Sequence, residues 1–468
     1  MSTTSDLETT AHPPTFNLVE RLPWAEVMAL QNQRLAGQMA YLEKNSPFYR
    51  RKLAEVGLRF DAIRGQEDLA RVPFTAKQEL RDSLKAAAPL GLHRAAPMRD
   101  IVQIQASSGT TGSPSYVGLT AQDRESWTEI TARALYASGI RSGDIVLHAF
   151  SMSKGFVGGI PIYQGVSHIG AIDLPIGADG GIDRLLIAAR DTRPRCIVGT
   201  PNFLLYLGHT APSVIGMQAH ALGVEHLIVG GEPGGGIPAI RDELECVWGA
   251  RCCEVMGGTD LGCTYWAEDE EQRGMYFVGP DYILAELIDP GSGRVLSWQE
   301  GATGELVYTS LARQASPVLR FRSGDHVRVT AIGSAKGRTA PAIRCFGRTD
   351  DMLIVRGVNL FPSAVQDLIS SMKPAIGGVV RVLADFEGHS TQGNLKLLVE
   401  RAPGQSSDTD AAVAQMVETR VRNALAVKAE VTLVEHGFFD APGAQKVALT
   451  LRQAPDLMMR GKSKPNQA

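Results

Sequence analysis

Residues 226–236 read HLIVGGEPGGG. A short apolar run that stops on a cluster of glycines has the form of a buried strand ending in a turn. Two upstream segments share that form, DIVLHAF at 144–150 and RCIVGTP at 195–201. Around them lie RESWTEITARALYASG (124–139) and GIDRLLIAARDT (181–192), amphipathic at helical spacing. From about 100 to 330 this alternation predicts parallel strands joined by crossover helices, an α/β fold. In such sheets the strand ends marked by Gly or Pro, here 199–201 and 230–236, are where ligands bind.

Working outward, residues 101–119, IVQIQASSGTTGSPSYVGL, place a polar stretch between an alternating run and a β-branched, aromatic one, so the middle is a loop between strands. Gly109 and Gly112 open backbone conformations closed to other residues, and Ser107, Ser108, Thr110 and Thr111 add hydroxyls beside exposed amides. Such a loop can wrap an anion, although its spacing is not that of the Walker loop. The plain alternative is a flexible Ser/Gly/Thr hairpin.

The chain opens with two helical patterns, residues 23–45 and a second stretch that ends at Gly57. After the alternating region, AELIDPGSGRV (285–295) and GELVYTSL (304–311) read as hairpin strands. Near 347 the style changes to a polar turn, a strand, a Gly/Asn turn and a helix behind Pro362. With KLLVERA (396–402), AEVTLVEHG (429–437) and the helical stretch 410–426, this forms a small α+β unit. The expected organisation is a disordered tail at 1–15, a large N-terminal domain at 16–346, a small C-terminal domain at 347–454 and a second disordered tail at 455–468.

The 468 residues, 44% hydrophobic with a formal charge of −3, suit two or three globular domains and give no basic field for nucleic acid or anionic membrane. A small-molecule partner is the better expectation. No run approaches a membrane span and no leader is evident, so a cytoplasmic protein is expected. Six cysteines, none in a CxxC pair, are expected as thiols; four fall within 246–263, but no histidine joins them and the spacing fits no zinc site.

Five separated motifs keep one order along the chain: ASSGTTGSP (106–114), GGEPGG (230–235), EVMGGTDLG (254–262), FRSGDHVRV (321–329) and GRTDDMLIVRGVNLFP (347–362). Together with NSPFYRRKLAEVGL (45–58) and ARVPFTAKQELRD (70–82), they resemble the phenylacetate-CoA ligase branch of the adenylate-forming superfamily. The resemblance implies a large domain with mixed and parallel sheets flanked by helices plus a small mobile α+β domain. It also implies ATP, Mg²⁺ and CoA as cofactors and a small, aromatic carboxylic acid as substrate. The acid would pass through an acyl-AMP to a CoA thioester.

The same resemblance assigns residues. Ser107, Ser108, Gly109, Thr110, Thr111 and Gly112 would cradle the ATP phosphates; Gly231, Glu232, Pro233 and Met256 would meet adenine. Gly257 and Gly258 lead to Thr259, facing phosphate, and Asp260, holding Mg²⁺. Asp325 would take the ribose hydroxyls, Arg348 the nucleotide, and Asp350 would be the hinge. Phe150, Lys154, Phe156, Phe203 and Gly257 are the candidate acid pocket.

Departures from the family pattern are Asp260 for a glutamate, Met256 for a tyrosine, and the position of the catalytic lysine. In DAPGAQKVALTLRQ (440–453) Ala444 follows Gly443, and Lys446 is displaced by two residues or aligns with the family's arginine. On a strand that slip keeps the face but moves the ammonium about 6–7 Å. The departures leave two alternatives beside the CoA ligase: transfer of the acyl group to an amine or carrier, and a silent nucleotide- or acyl-binding homologue. The sequence leaves homodimer formation open.

Overall fold

The computed structural model describes residues 13–107, 115–153, 155–349, 351–439 and 448–453. The opening is helical, as its periodicity predicts. Trp24–Asn45 buries Val27, Leu35, Met39 and Leu42 along one stripe, and Ser46 caps Pro47–Glu55 by accepting from the Tyr49 amide at 3.3 Å.

A twelve-stranded sheet follows, and it has two halves. In the first, Ile172–Leu174, Ile145–His148, Cys196–Gly199, His226–Val229 and Arg251–Gly258 lie side by side and parallel. The intervening helices cover it, Ile182–Thr192, Pro201–Ile215 and Pro238–Trp248 sharing one core with Ile197, Leu227 and Cys252. These strands are buried on every residue in Cys196–Gly199 and His226–Val229, which is why they read as unbroken apolar runs.

Beyond Gly258 the expectation of parallel strands up to 330 fails. Every later pair in this sheet is antiparallel, from Gly262–Ala267 through Met275–Phe277, Pro341–Arg348, Phe321–Ile332, Thr303–Ser310 and Ile283–Ile288 to Val295–Leu296. The reason is the length of the connections. Only Thr259–Asp260–Leu261 separates the first two strands, and a parallel crossover needs about a dozen residues or more. The hairpins read at 285–311 thus extend the main sheet. Arg251–Gly258 is its seam, parallel on one side and antiparallel on the other.

Residues from Leu353 onward build a separate core around Val365, Ile369, Leu397 and Val417. Its four-stranded sheet runs Ala429–Val434, Leu395–Glu400, Val380–Leu383, Thr450–Leu451, with helices Pro362–Ser370 and Asp410–Leu425 packed on it. An antiparallel ribbon, Ile101–Ala106 with Tyr116–Thr120, flanks the polar loop, and Ser107 and Ser115 close its base through a backbone bond of 2.9 Å. Among the described residues no helix is long and apolar enough to cross a membrane.

Candidate active site

The carboxyl ends of the parallel strands converge. Ile145–His148 leads to Phe150, His226–Val229 to Gly230 and Gly231, and the seam strand to Gly257 and Gly258. Gly231 adopts φ of +85°, a left-handed conformation that lets the chain turn sharply away from its strand. Gly257 is fixed by crowding, since a Cβ there would stand 1.8 Å from the Cys263 carbonyl oxygen.

Two cavities open at this edge. The first, about 240 Å³, has Phe150, Phe156, Val157, Ile162, Leu261 and Cys263 along its apolar walls. The rings of Phe150 and Phe156 are tilted at 59° with centroids 6.5 Å apart. Its polar wall carries Ser107, Gly258, Thr259 and Asp260, with Lys77 and Arg81 contributed by the helix Lys77–Ala86. The second cavity, about 390 Å³, is lined by Gly231, Glu232, Pro233 and Met256 on one side and by Phe361, Pro362 and Leu449 on the other.

Gly231, Gly257, Asp325 and Arg348 border both. Asp325 and Arg348 face each other across two antiparallel strands, and the Arg348 Nη1 donates to Asp325 Oδ1. Arg348 Nη2 also donates to the Ser323 carbonyl at 3.0 Å, so the guanidinium is held in plane beside the carboxylate. Glu232 is buried and accepts from the Asn202 side-chain amide at 2.9 Å and its backbone amide at 3.2 Å.

Phe203 is placed elsewhere. It lies on Pro201–Ile215, and with Leu207 and Ala211 at four-residue spacing its ring joins the core beneath the parallel half rather than either cavity. Ser108, Gly109, Thr110, Thr111, Gly112, Lys154, Asp350 and Lys446 lie outside the described residues. Cys196, Cys252, Cys253 and Cys263 are buried, and burial pushes the Cys196 thiol up to about 12. Among the described residues no group of three or more His, Cys, Asp or Glu side chains is placed to hold a metal ion.

Sequence reasoning missed Lys77, Arg81 and Glu254. Glu254 borders the second cavity from the seam strand; burial, and then the nearby Glu268, raise its carboxyl to about 7. Glu268 itself accepts from Arg241 and, at 2.9 Å, from the Glu254 amide. No pattern in EVMGGTDLG marks its glutamate as buried, and the one-turn spacing of Lys77 and Arg81 shows a shared helix face but not its place beside the cavity.

No family model matches the chain. It is 32% identical over 434 residues to the phenylacetate-coenzyme A ligase of Thermus thermophilus, covering 90% of this chain and 95% of that protein. The chain belongs to the phenylacetate-CoA ligase family. The Pseudomonas putida phenylacetate-coenzyme A ligase is 33% identical over 360 residues, 76% of this chain and 79% of that one. Among solved structures, a 2-hydroxyisobutyryl-CoA ligase in its postadenylation state with 2-HIB-AMP aligns with a TM-score of 0.87 at 27% identity, covering 99% and 97% of the two chains. The same ligase with 2-HIB-AMP and CoA in the thioesterification state gives 0.70 at 28% identity, covering 96% and 95%. The present arrangement thus superposes better on the postadenylation state.

Proposed function

We propose that this family member is an ATP-dependent acid-CoA ligase whose acid is small, apolar and aromatic. The observation that carries this reading is the first cavity, where an apolar wall bearing Phe150 and Phe156 opens directly on Thr259 and Asp260. An apolar cavity of about 150 Å³ admits benzene. The volume here leaves room for a ring and its carboxylate, and the apolar wall of Phe150, Phe156, Val157, Ile162, Leu261 and Cys263 carries no charge to favour a second ionised group on the ring.

Adenine and ribose belong on the other side of Gly257, with the base between Gly231–Pro233 and Met256 and the sugar hydroxyls donating to Asp325. Arg348, donating to Asp325, keeps that carboxylate aimed. The acid's carboxylate then faces the α-phosphate across the Gly257–Asp260 turn, a near-attack placement. Mg²⁺ fits Asp260, a single carboxylate beside the Thr259 hydroxyl, because this cation takes one or two carboxylates together with phosphates and waters. When bound, it would neutralise charge on the triphosphate. The hydroxyls of Thr259 and Ser107 add donors that need no reorganisation.

Residues 347–454 act as the mobile unit in this reading, turning near Asp350 to bring CoA to the acyl-AMP. Support comes from the separate core beginning at Leu353, whose apolar members are all its own. Lys446 is the residue assigned to bridge carboxylate and phosphate. An enzyme that draws on ATP and CoA and keeps six thiols suits the cytoplasm.

The test is exchange of labelled pyrophosphate into ATP across a panel of aryl and alkyl acids, followed by thioester formation on adding CoA. Exchange with arylacetic or benzoic acids and CoA-dependent turnover are expected. Exchange without a thioester would assign another acceptor, and no exchange with any acid would contradict adenylation.

A further inference from the structure

The helix Lys77–Ala86 sets Lys77 and Arg81 one turn apart on a single face, and both side chains line the cavity that carries Ser107, Thr259 and Asp260. Its start is pinned to the sheet. Thr75, two residues earlier, donates its amide to the Arg320 carbonyl at 2.9 Å, accepts from the Arg322 amide at 3.0 Å, and donates its hydroxyl to the Leu319 carbonyl at 2.7 Å. The strand that continues from there, Phe321–Ile332, bears Asp325. The two cations are therefore held at a fixed offset from the ribose carboxylate.

The acids of the helix are turned to other partners. Glu79 accepts from Lys52 Nζ at 2.5 Å and from the Ala76 amide at 2.7 Å, and Asp82 accepts from Gln78 Nε2 at 2.9 Å. Lys77 makes no ion pair among the described residues and is half-buried. A cation partly withdrawn from water without a carboxylate carries a desolvation cost that a bound anion removes. The nucleoside end of the ligand is claimed by Met256 and Asp325 and the acid by Phe150 and Phe156. What remains for the far phosphates is the wall formed by Ser107, Thr259, Asp260, Lys77 and Arg81.

We propose that Lys77 and Arg81 bind the pyrophosphate end of ATP and take up the charge that gathers on it as it leaves. This rests on the adenylation reading above. In that step a carboxylate oxygen forms a bond to the α-phosphorus while the bond from that phosphorus to the α,β-bridging oxygen breaks. The bridging oxygen keeps the electron pair and departs on pyrophosphate, and no proton is transferred. Negative charge thus moves toward the β- and γ-phosphates, where fixed cations stabilise the transition state more than the ground state.

The experiment compares the wild type with Lys77→Met, Arg81→Met, the double variant and Lys77→Arg. Three quantities are read: the KM for pyrophosphate in acid-dependent exchange, the exchange rate, and thioester formation from supplied acyl-AMP and CoA. Each methionine substitution is expected to raise the KM for pyrophosphate about tenfold and the pair roughly a hundredfold. Lys77→Arg should stay within a few-fold of wild type. Thioester formation from acyl-AMP should keep its kcat and its KM for CoA.

An unchanged KM for pyrophosphate would overturn the proposal. So would a loss seen in the KM for CoA, which would give these cations to the phosphates of CoA, or an equal loss in every readout, which would make them structural. A wild type without any exchange overturns the adenylation reading as well. Wild-type exchange that the variants match overturns only the role of Lys77 and Arg81.

Discussion

The two cavities that meet at Gly257 differ in what builds them. The smaller is walled by the main sheet, the ribbon and nearby helices, and among the described residues only Arg348 and Asp351 reach in from beyond position 330. The larger takes Leu353, Phe361, Ser363, Leu449 and Arg452 from the C-terminal unit. In the proposed reading, acid selection is preformed by one core, whereas the nucleotide side depends on how two cores meet. A change in the first should alter which acid is used without touching ATP. A change in the second should alter ATP affinity and respond to whatever holds the units together.

Asp325→Ala strikes the border of both cavities and should have the largest effect. Two charge-assisted bonds to ribose are lost, together with the bond from Arg348 to Asp325. ATP affinity measured by calorimetry should fall roughly a hundredfold, at about 1.5 kcal/mol or more per bond. Unchanged affinity would detach Asp325 from the sugar and erase the border as drawn.

Phe156→Ala confines the damage to the acid chamber, since its ring is only partly buried. The KM for small aryl acids should rise about tenfold, bulkier acids should gain, and the KM for ATP should hold. A parallel rise in the KM for ATP would mean that the chambers are not separate.

Glu254→Gln probes the nucleotide side through pH. Burial, and then Glu268, push this carboxyl up to about 7 from the usual carboxylate range, so the folded state binds the proton more tightly than the unfolded chain. Its stabilising contribution is complete at low pH and is lost as pH rises through about 7. Glu254→Gln should therefore gain on the wild type in urea midpoint as pH goes from about 5 to 8. Parallel curves would place the Glu254 proton elsewhere.

The smallest effect is expected at the rim. Lys373 of the C-terminal unit donates to Glu243 of the large one at 2.7 Å, and His209 lies 3.3 Å from the same side chain. Lys373 and then Glu243 are 39% and 27% exposed, so Lys373→Ala should change ATP affinity by a few-fold at most, and less in high salt. A larger change would show that this contact governs the meeting of the two cores.

Much of this site was legible because its chemistry sits in short motifs. Asp325 and Arg348 were read from separate stretches, and the strand register sets them opposite each other. Gly231, Met256, Thr259 and Asp260, also taken from separate motifs, line one cavity or the other. Phe203 misled because it follows a strand-ending Gly-Thr-Pro, just as Phe150 follows a strand. Its helical spacing with Leu207 and Ala211 already assigned it to a buried stripe. Lys77 and Arg81 escaped for another reason. Their place depends on Thr75 pairing with a strand some 246 positions away, a contact that no local pattern encodes. The antiparallel half of the sheet was hidden in the same way, since hairpins alone do not say which sheet they join.

The most direct measurement is a crystal structure with a hydrolysis-resistant arylacyl adenylate. The aryl ring is expected against Phe150 and Phe156, the phosphate at the Gly257–Asp260 turn and the ribose hydroxyls on Asp325. An adenylate whose ring lies outside that chamber, or whose sugar leaves Asp325 paired only with Arg348, would contradict it.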